Sequence, residues 1–235
     1  MVAVHAPPIR PWAPGAATPR ATAGMVDVWR ADLTAIEDDL EDLLCTEELA
    51  RAAQIVHPHR RVLWARSRGM LRALLGRYLD RDPLDLRFAL GPHGKPALSS
   101  EGPTRPATGD LSFNLSHSGG LALVAVTAGR AVGIDVEIAA HRRVDELAVA
   151  ARVLGYEQAR RLSVFDSQAR ARAFLRAWVA HEAVVKCLGL GLATPLEGSP
   201  PADLWTAAVD VGPRAASAVA VAGGPRQLRF RDWPA

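Results

Sequence analysis

Two segments of this chain set charged side chains where packing alone would not ask for them. One is a strand ending Gly133-Ile134-Asp135-Val136-Glu137. The other is a later helix reading Trp178-Val179-Ala180-His181-Glu182-Ala183-Val184-Val185-Lys186. Asp135 and Glu137 are two apart, so on a strand they share a face and can converge on one hard cation. Glu182 and Lys186 are four apart, one helical turn along a single face, with Trp178 one turn earlier. That spacing would also serve an ordinary ion pair on an exposed helix. A fold that brings the helix onto the strand would instead add a third carboxylate and an ammonium to the first pair. Such a set suits magnesium-assisted chemistry on a phosphate ester.

The basic residues sharpen this reading. There are 28 lysines and arginines, and the only lysines are Lys95 and Lys186. An ammonium is a compact point charge and a guanidinium a planar fork, so the two are not interchangeable at a phosphate. Both lysines are therefore candidates for an anion site.

At 235 residues the chain suits one large domain or two small ones, and its 49% hydrophobic content is that of a globular protein. No apolar run approaches the roughly 20 residues that cross a bilayer. Residues 1–24 are proline-rich, with neither the charged nor the apolar region of a signal peptide, and read as a disordered leader. Cys45 and Cys187 make neither a disulfide framework nor a zinc site, and two reduced thiols suit a cytoplasmic protein. A formal charge of +3 is too mild for a dedicated nucleic-acid binder but favours an acidic or polyanionic partner.

Along the chain a strand is expected at 25–30, then helical periodicity through residues 34–44 and 46–56, the latter capped by Thr46. A long arginine-rich helix spans Pro58 to Leu79. A strand near Leu86–Leu90 leads into the loop GPHGKPAL. FNLSHSGG follows, then the strand LALVAVTA, a turn at Gly129-Arg130, and the strand AVGIDVEI. The second part repeats the plan, with helical stretches at 144–162 and 167–188 and strands in LWTAAVDV, SAVAVAG and QLRFRDW. The expected fold is α+β, with two similar halves, residues 25–129 and 130–235, packed side by side; two halves in one chain predict a monomer.

GKPAL, FNLSHS, GIDVE and W-x-x-x-E-A-x-x-K-x-x-G-x-G-L, in this order and spacing, resemble the 4′-phosphopantetheinyl transferases of the Sfp type across roughly residues 45–200. The resemblance implies a pseudo-dimeric α+β fold and transfer of the phosphopantetheine arm of coenzyme A to a serine of an apo acyl or peptidyl carrier protein, with release of 3′,5′-ADP. It implies magnesium, with manganese as a substitute. Asp135, Glu137 and Glu182 match the family's metal-binding acids. Glu182 also matches the proposed base for the attacking serine, and Lys186 the lysine at the coenzyme A phosphates. Lys95 matches a lysine near the nucleotide. Ser116 and His117 match a contact to a coenzyme A phosphate. Among Arg60, Arg61 and Arg68, candidates for the 3′-phosphate, Arg61 is favoured for lying just upstream of the apolar face.

The family usually has lysine before the helix glutamate, and this chain has His181. An unperturbed histidine there would titrate near pH 6.5 and put an inflection on the activity profile. Two other functions compete: a metal-dependent phosphohydrolase acting on coenzyme A, and a non-catalytic carrier-binding homologue. The first would release phosphopantetheine without a carrier. The second is hard to reconcile with an intact GIDVE and Glu182.

Overall fold

The computed structural model describes residues 4–5, 11–36, 39–99, 111–139, 145–191, 194–196, 201–224 and 227–234. Residues 1–3 and 6–10 of the leader, residues 37–38 of the first expected helical stretch, and residue 144 of another lie outside them.

The described chain stacks four layers, helix on sheet on sheet on helix. The order begins with β1 (Val4–His5), β2 (Ala13–Pro14), β3 (Met25–Asp32), α1 (Thr46–Ala53) and α2 (Pro58–Leu79). β4 (Phe88–Leu90), β5 (Pro96–Leu98), β6 (Leu111–Ser118), β7 (Leu121–Ala128) and β8 (Val132–Ile138) follow. The rest is α3 (Glu146–Val149), α4 (Tyr156–Ser163), α5 (Ser167–Leu188), β9 (Trp205–Ala208), β10 (Ala215–Val221) and β11 (Gln227–Asp232). One sheet runs β2-β11-β3-β7-β6 and the other β1-β9-β10-β8, with β4-β5 a separate hairpin. The fold is α+β.

Alternation along the strands sorts side chains between layers. Val26 and Val28 of β3 and Leu123 and Ala125 of β7 share one core with Val132, Ile134, Val136, Val219 and Val221 of the second sheet. Their odd-even neighbours Trp29, Val124 and Val126 pack instead on Met70, Leu71, Leu74 and Leu75 of α2. On the far side α5 lays Val179, Ala180, Ala183, Val184 and Cys187 onto Ala218 and Ala220. Each sheet thus carries one 22-residue helix on its outer face.

Both long helices run over the residues expected, because their ends are chemically marked. Asp166 caps α5, accepting from Ala169 N at 2.9 Å, and Gly189 closes it at φ 71°. Two helical expectations need correction. Among the described residues of 34–44 the one helical element is a 3₁₀ turn, Leu40–Leu43. Asp32 Oδ1 accepts from both Thr34 N (2.9 Å) and Thr34 Oγ1 (2.6 Å), so a local turn competes with helix initiation. Leu33, Ile36, Leu40 and Leu44 are still buried, so the apolar spacing marked a draped segment. The stretch 144–162 is not one helix: α3 passes into a π turn, Ala150–Leu154, and Gly155 at φ 94° separates it from α4. At α1 the cap is Cys45 and not Thr46, which is the first helical residue; Glu48 Oε2 reaches back to accept from Cys45 N at 3.1 Å.

Chain ends cross between the layers. β11, last in sequence, lies parallel to β3 in the first sheet, and β1 pairs with β9 in the second. In the leader, Ala13 and Pro14 pair with β11, the Trp12 ring packs at a tilt on Phe230 with centroids 5.0 Å apart, and the Arg30 guanidinium lies 4.2 Å from the Trp12 ring centroid.

Candidate active site

The site begins with a glycine. A Cβ on Gly133 would meet the Ala183 carbonyl oxygen at 2.0 Å and Cys187 N at 2.4 Å, so α5 lies against β8 backbone to backbone. Ala216, Ala218 and Ala220 stand opposite Glu137, Asp135 and Gly133 on β10 and keep the rest of that face low. This approach brings the C-terminal half of α5 onto Asp135.

Lys186 Nζ donates to Asp135 Oδ1 at 2.6 Å, to Ser116 Oγ at 3.1 Å and to Ile134 O at 3.4 Å. The Ser116 hydroxyl donates to the same Asp135 Oδ1 at 2.8 Å. Asp135 is 5% exposed, and its Oδ2 is buried with no hydrogen bond among the described residues. Burial pushes the Asp135 carboxyl above its ordinary value, with Lys186 and Ser116 pulling it part of the way back. Glu182, 3% exposed, lies one turn before Lys186. A buried acid joined to an ammonium at one strand, with a second buried acid one turn back along the helix, marks a functional site more than a stabilising one.

Among the described residues no three His, Cys, Asp or Glu side chains already form a metal cage. Magnesium does not require one, since it takes one or two carboxylates and fills the rest of its shell with water and substrate phosphate. The partnerless, buried Oδ2 of Asp135 fits such an ion, with Glu137 on the same face.

β6 holds β8 in place by side chains. The two are edge strands of different sheets, and the outward N–H groups of β8 are taken by polar side chains of β6. Ile134 N donates to Asn114 Oδ1 (2.8 Å), Val136 N to Ser116 Oγ (3.4 Å) and Ile138 N to Ser118 Oγ (3.1 Å). Ser118 Oγ also donates to Glu137 Oε2 at 2.9 Å. Sequence reasoning singled out Ser116 and passed over Asn114 and Ser118. The signal was there, as polar residues at every second position from Ser112 to Ser118, alternating with Leu111, Phe113 and Leu115.

His117 points the other way from Ser116 and is exposed at its edge. Loss of water around the ring pulls its pKa down first, then the positive charges of Lys186 and Arg60, with Glu137 opposing. Arg60, exposed at the start of α2, therefore lies within electrostatic reach of His117. Arg61 does not present its guanidinium there: Nε and Nη2 both donate to Ile55 O, at 3.1 and 3.0 Å. Arg68 is also engaged, with Nε on Glu48 Oε1 at 2.5 Å and its guanidinium over Phe88. Lys95 donates to the carbonyls of Val132 (2.9 Å) and Lys186 (2.7 Å), tying the β4-β5 hairpin to the C-terminal turn of α5. Burial pulls its pKa down.

His181 corrects an expectation. It is 4% exposed, its ring Nε2 lies 2.9 Å from the Thr194 carbonyl oxygen, and burial pulls its pKa below the ordinary value. It lines a cavity of about 520 Å³ with Ala177, Ala180 and Arg176, around the helix from Lys186. A neutral-pH inflection from this group does not follow.

The family described as the 4′-phosphopantetheinyl transferase superfamily matches residues 131–231. The 4′-phosphopantetheinyl transferase HetI of Nostoc sp. (strain PCC 7120) is 36% identical over 224 residues, 87% of this chain and 91% of its own. A putative 4′-phosphopantetheinyl transferase of Synechocystis sp. is 31% identical over 150 residues, 64% of this chain and 58% of its own. The 4′-phosphopantetheinyl transferase Sfp of Bacillus subtilis is 28% identical over 128 residues, 54% of this chain and 52% of its own. The chain belongs to the 4′-phosphopantetheinyl transferase superfamily. It is an enzyme that transfers phosphopantetheine to carrier proteins. No helix among the described residues is long and apolar enough to cross a membrane.

Proposed function

We propose that the chain modifies apo acyl or peptidyl carrier proteins from coenzyme A with magnesium, using the residues around Asp135. The observation that carries this is the buried Asp135, which shares Lys186 and Ser116 through one oxygen and keeps the other without a partner. Magnesium, when bound, supplies positive charge to the diphosphate and to the oxygen that leaves as 3′,5′-ADP. Asp135, Glu137 and Glu182 are the acids that would hold it.

Lys186 already lies at the acids, and its ammonium can turn one of its three donors to a phosphate oxygen by releasing its longest contact, Ile134 O at 3.4 Å. A donor held next to the place where charge develops costs little reorganisation at the moment of reaction. Glu182 takes the proton of the carrier serine, which is the nucleophile, so none of this chain's own serines need react. Arg60 and His117 hold the 3′-phosphate of coenzyme A. Arg68 and Lys95 support the same site at one remove, engaged with a carboxylate and with backbone carbonyls, and Arg61 is held outside it by the Ile55 carbonyl.

Steady-state kinetics of Glu182→Gln test the assignment of the base. It lowers kcat by about 10² to 10⁴, the usual worth of general-base catalysis, and leaves the KM for coenzyme A near that of the wild type. Wild-type kcat in that variant removes Glu182 from the chemistry.

A further inference from the structure

We propose that Ser118 is a positioning residue for the metal-binding acids, holding the second of them, Glu137, from the neighbouring sheet. The inference rests on the metal reading given above. A serine hydroxyl has one proton to donate and lone pairs to accept, and at Ser118 both are used on β8: the proton goes to Glu137 Oε2 at 2.9 Å, and Ile138 N donates back at 3.1 Å. One side chain thus pins both the carboxylate and the backbone one residue beyond it.

Its place in β6 explains why that matters. Asn114, Ser116 and Ser118 share one strand face and take the N–H groups of Ile134, Val136 and Ile138 in turn. The pairing is two for two along both strands, so it fixes the register of β8. Slipping by one residue would turn Asp135 and Glu137 toward the core and the valines outward. Ser116 is already claimed by Asp135 and Lys186. Ser118 serves Glu137, which lies one strand repeat farther from Lys186 and is only half-buried. A glutamate with three rotatable bonds near solvent samples many rotamers, and a hydrogen bond to one oxygen leaves the other aimed. Two of the proposed metal acids, Asp135 and Glu137, stand on β8, and their orienting hydroxyls stand on the other sheet.

Manganese binding by electron paramagnetic resonance, on the full chain with coenzyme A present, tests this without turnover. Ser118→Thr and Ser118→Val are the informative pair, since they match in shape and differ in the hydroxyl. Ser118→Thr keeps the wild-type affinity, and Ser118→Val loses about 10- to 100-fold, as is usual when an outer hydrogen-bond partner of a metal ligand is removed. In steady state Ser118→Val needs correspondingly more magnesium for half-maximal rate while the KM for coenzyme A is unchanged. Asp135→Ala is the reference and abolishes manganese binding. If Ser118→Val binds manganese as tightly as Ser118→Thr while Asp135→Ala does not bind, the positioning role is wrong and the metal site stands. If Asp135→Ala itself binds like the wild type, the metal reading falls and this inference with it.

Discussion

At Arg60 and Arg61 two adjacent arginines differ in a way that their own sequence does not disclose: Arg61 is held by the Ile55 carbonyl, and Arg60 is proposed for the 3′-phosphate. Both belong to a helix with arginines on several faces, and the acceptors that claim Arg61 and Arg68 are a backbone carbonyl and a distant glutamate. Arg60→Ala should raise the KM for coenzyme A about ten- to hundredfold, the worth of a hydrogen bond to a charged group, and change that for dephospho-coenzyme A little. Arg61→Ala should leave both near wild type, a contrast that steady-state kinetics with the two substrates reads directly. His181 makes a second case. Burial lowers its pKa, so the unfolded chain takes the proton first. Its contribution to stability is present above the unfolded value near 6.5 and is lost as pH falls below it. Melting temperature should therefore fall more steeply below pH 6.5 in the wild type than in His181→Gln, with coincident pH–rate profiles near neutrality. Equal slopes would contradict the burial argument.

Helices α2 and α5 were legible in the sequence because their ends carry proline, aspartate and glycine and their lengths span many turns. The stretch 34–44 was not, since a side-chain turn at Asp32 competes with a periodicity that is equally good for a segment draped over the core. What the sequence could not show is how close α5 comes to β8. That distance depends on Gly133, and the helix carbonyl it meets lies fifty residues on. Gly133→Ala must push the helix off the strand or bend it, against backbone that cannot yield as a side chain would. It should cost about 1 to 3 kcal/mol by urea denaturation, the usual range for overpacking, and reduce activity by far more than that loss implies. Full activity at unchanged stability would mean that the contact is not what sets the site.

For the molecule as a whole, the pairings least visible in the sequence are those between its ends. β11 completes the first sheet beside β3, and Asp27 of β3, almost fully buried, accepts from Tyr78 Oη at 2.5 Å and from both Nε and Nη2 of Arg229 on β11. Burial and the neighbouring Asp27 carboxylate push the Tyr78 phenol well above its ordinary range. Arg229→Ala leaves the Asp27 charge with too few donors and should cost about 3 kcal/mol by denaturant unfolding, the low end for a broken buried pair because Arg229 keeps some solvent contact. Strand order is non-local, so neither that clamp nor the seam between β6 and β8 could be read from residue spacing, although the blocks that form the seam could. The proposed chemistry lies under α5, on Asp135 and Glu137 of β8, steadied by β6, with Glu182 of the helix. Intact-mass spectrometry of an apo carrier protein incubated with coenzyme A and magnesium tests this most directly. Wild type should add one phosphopantetheine to the carrier and release none from coenzyme A when no carrier is present, and folded Asp135→Ala should add none. Wild-type modification by Asp135→Ala, or release of phosphopantetheine from coenzyme A without any carrier, would contradict it.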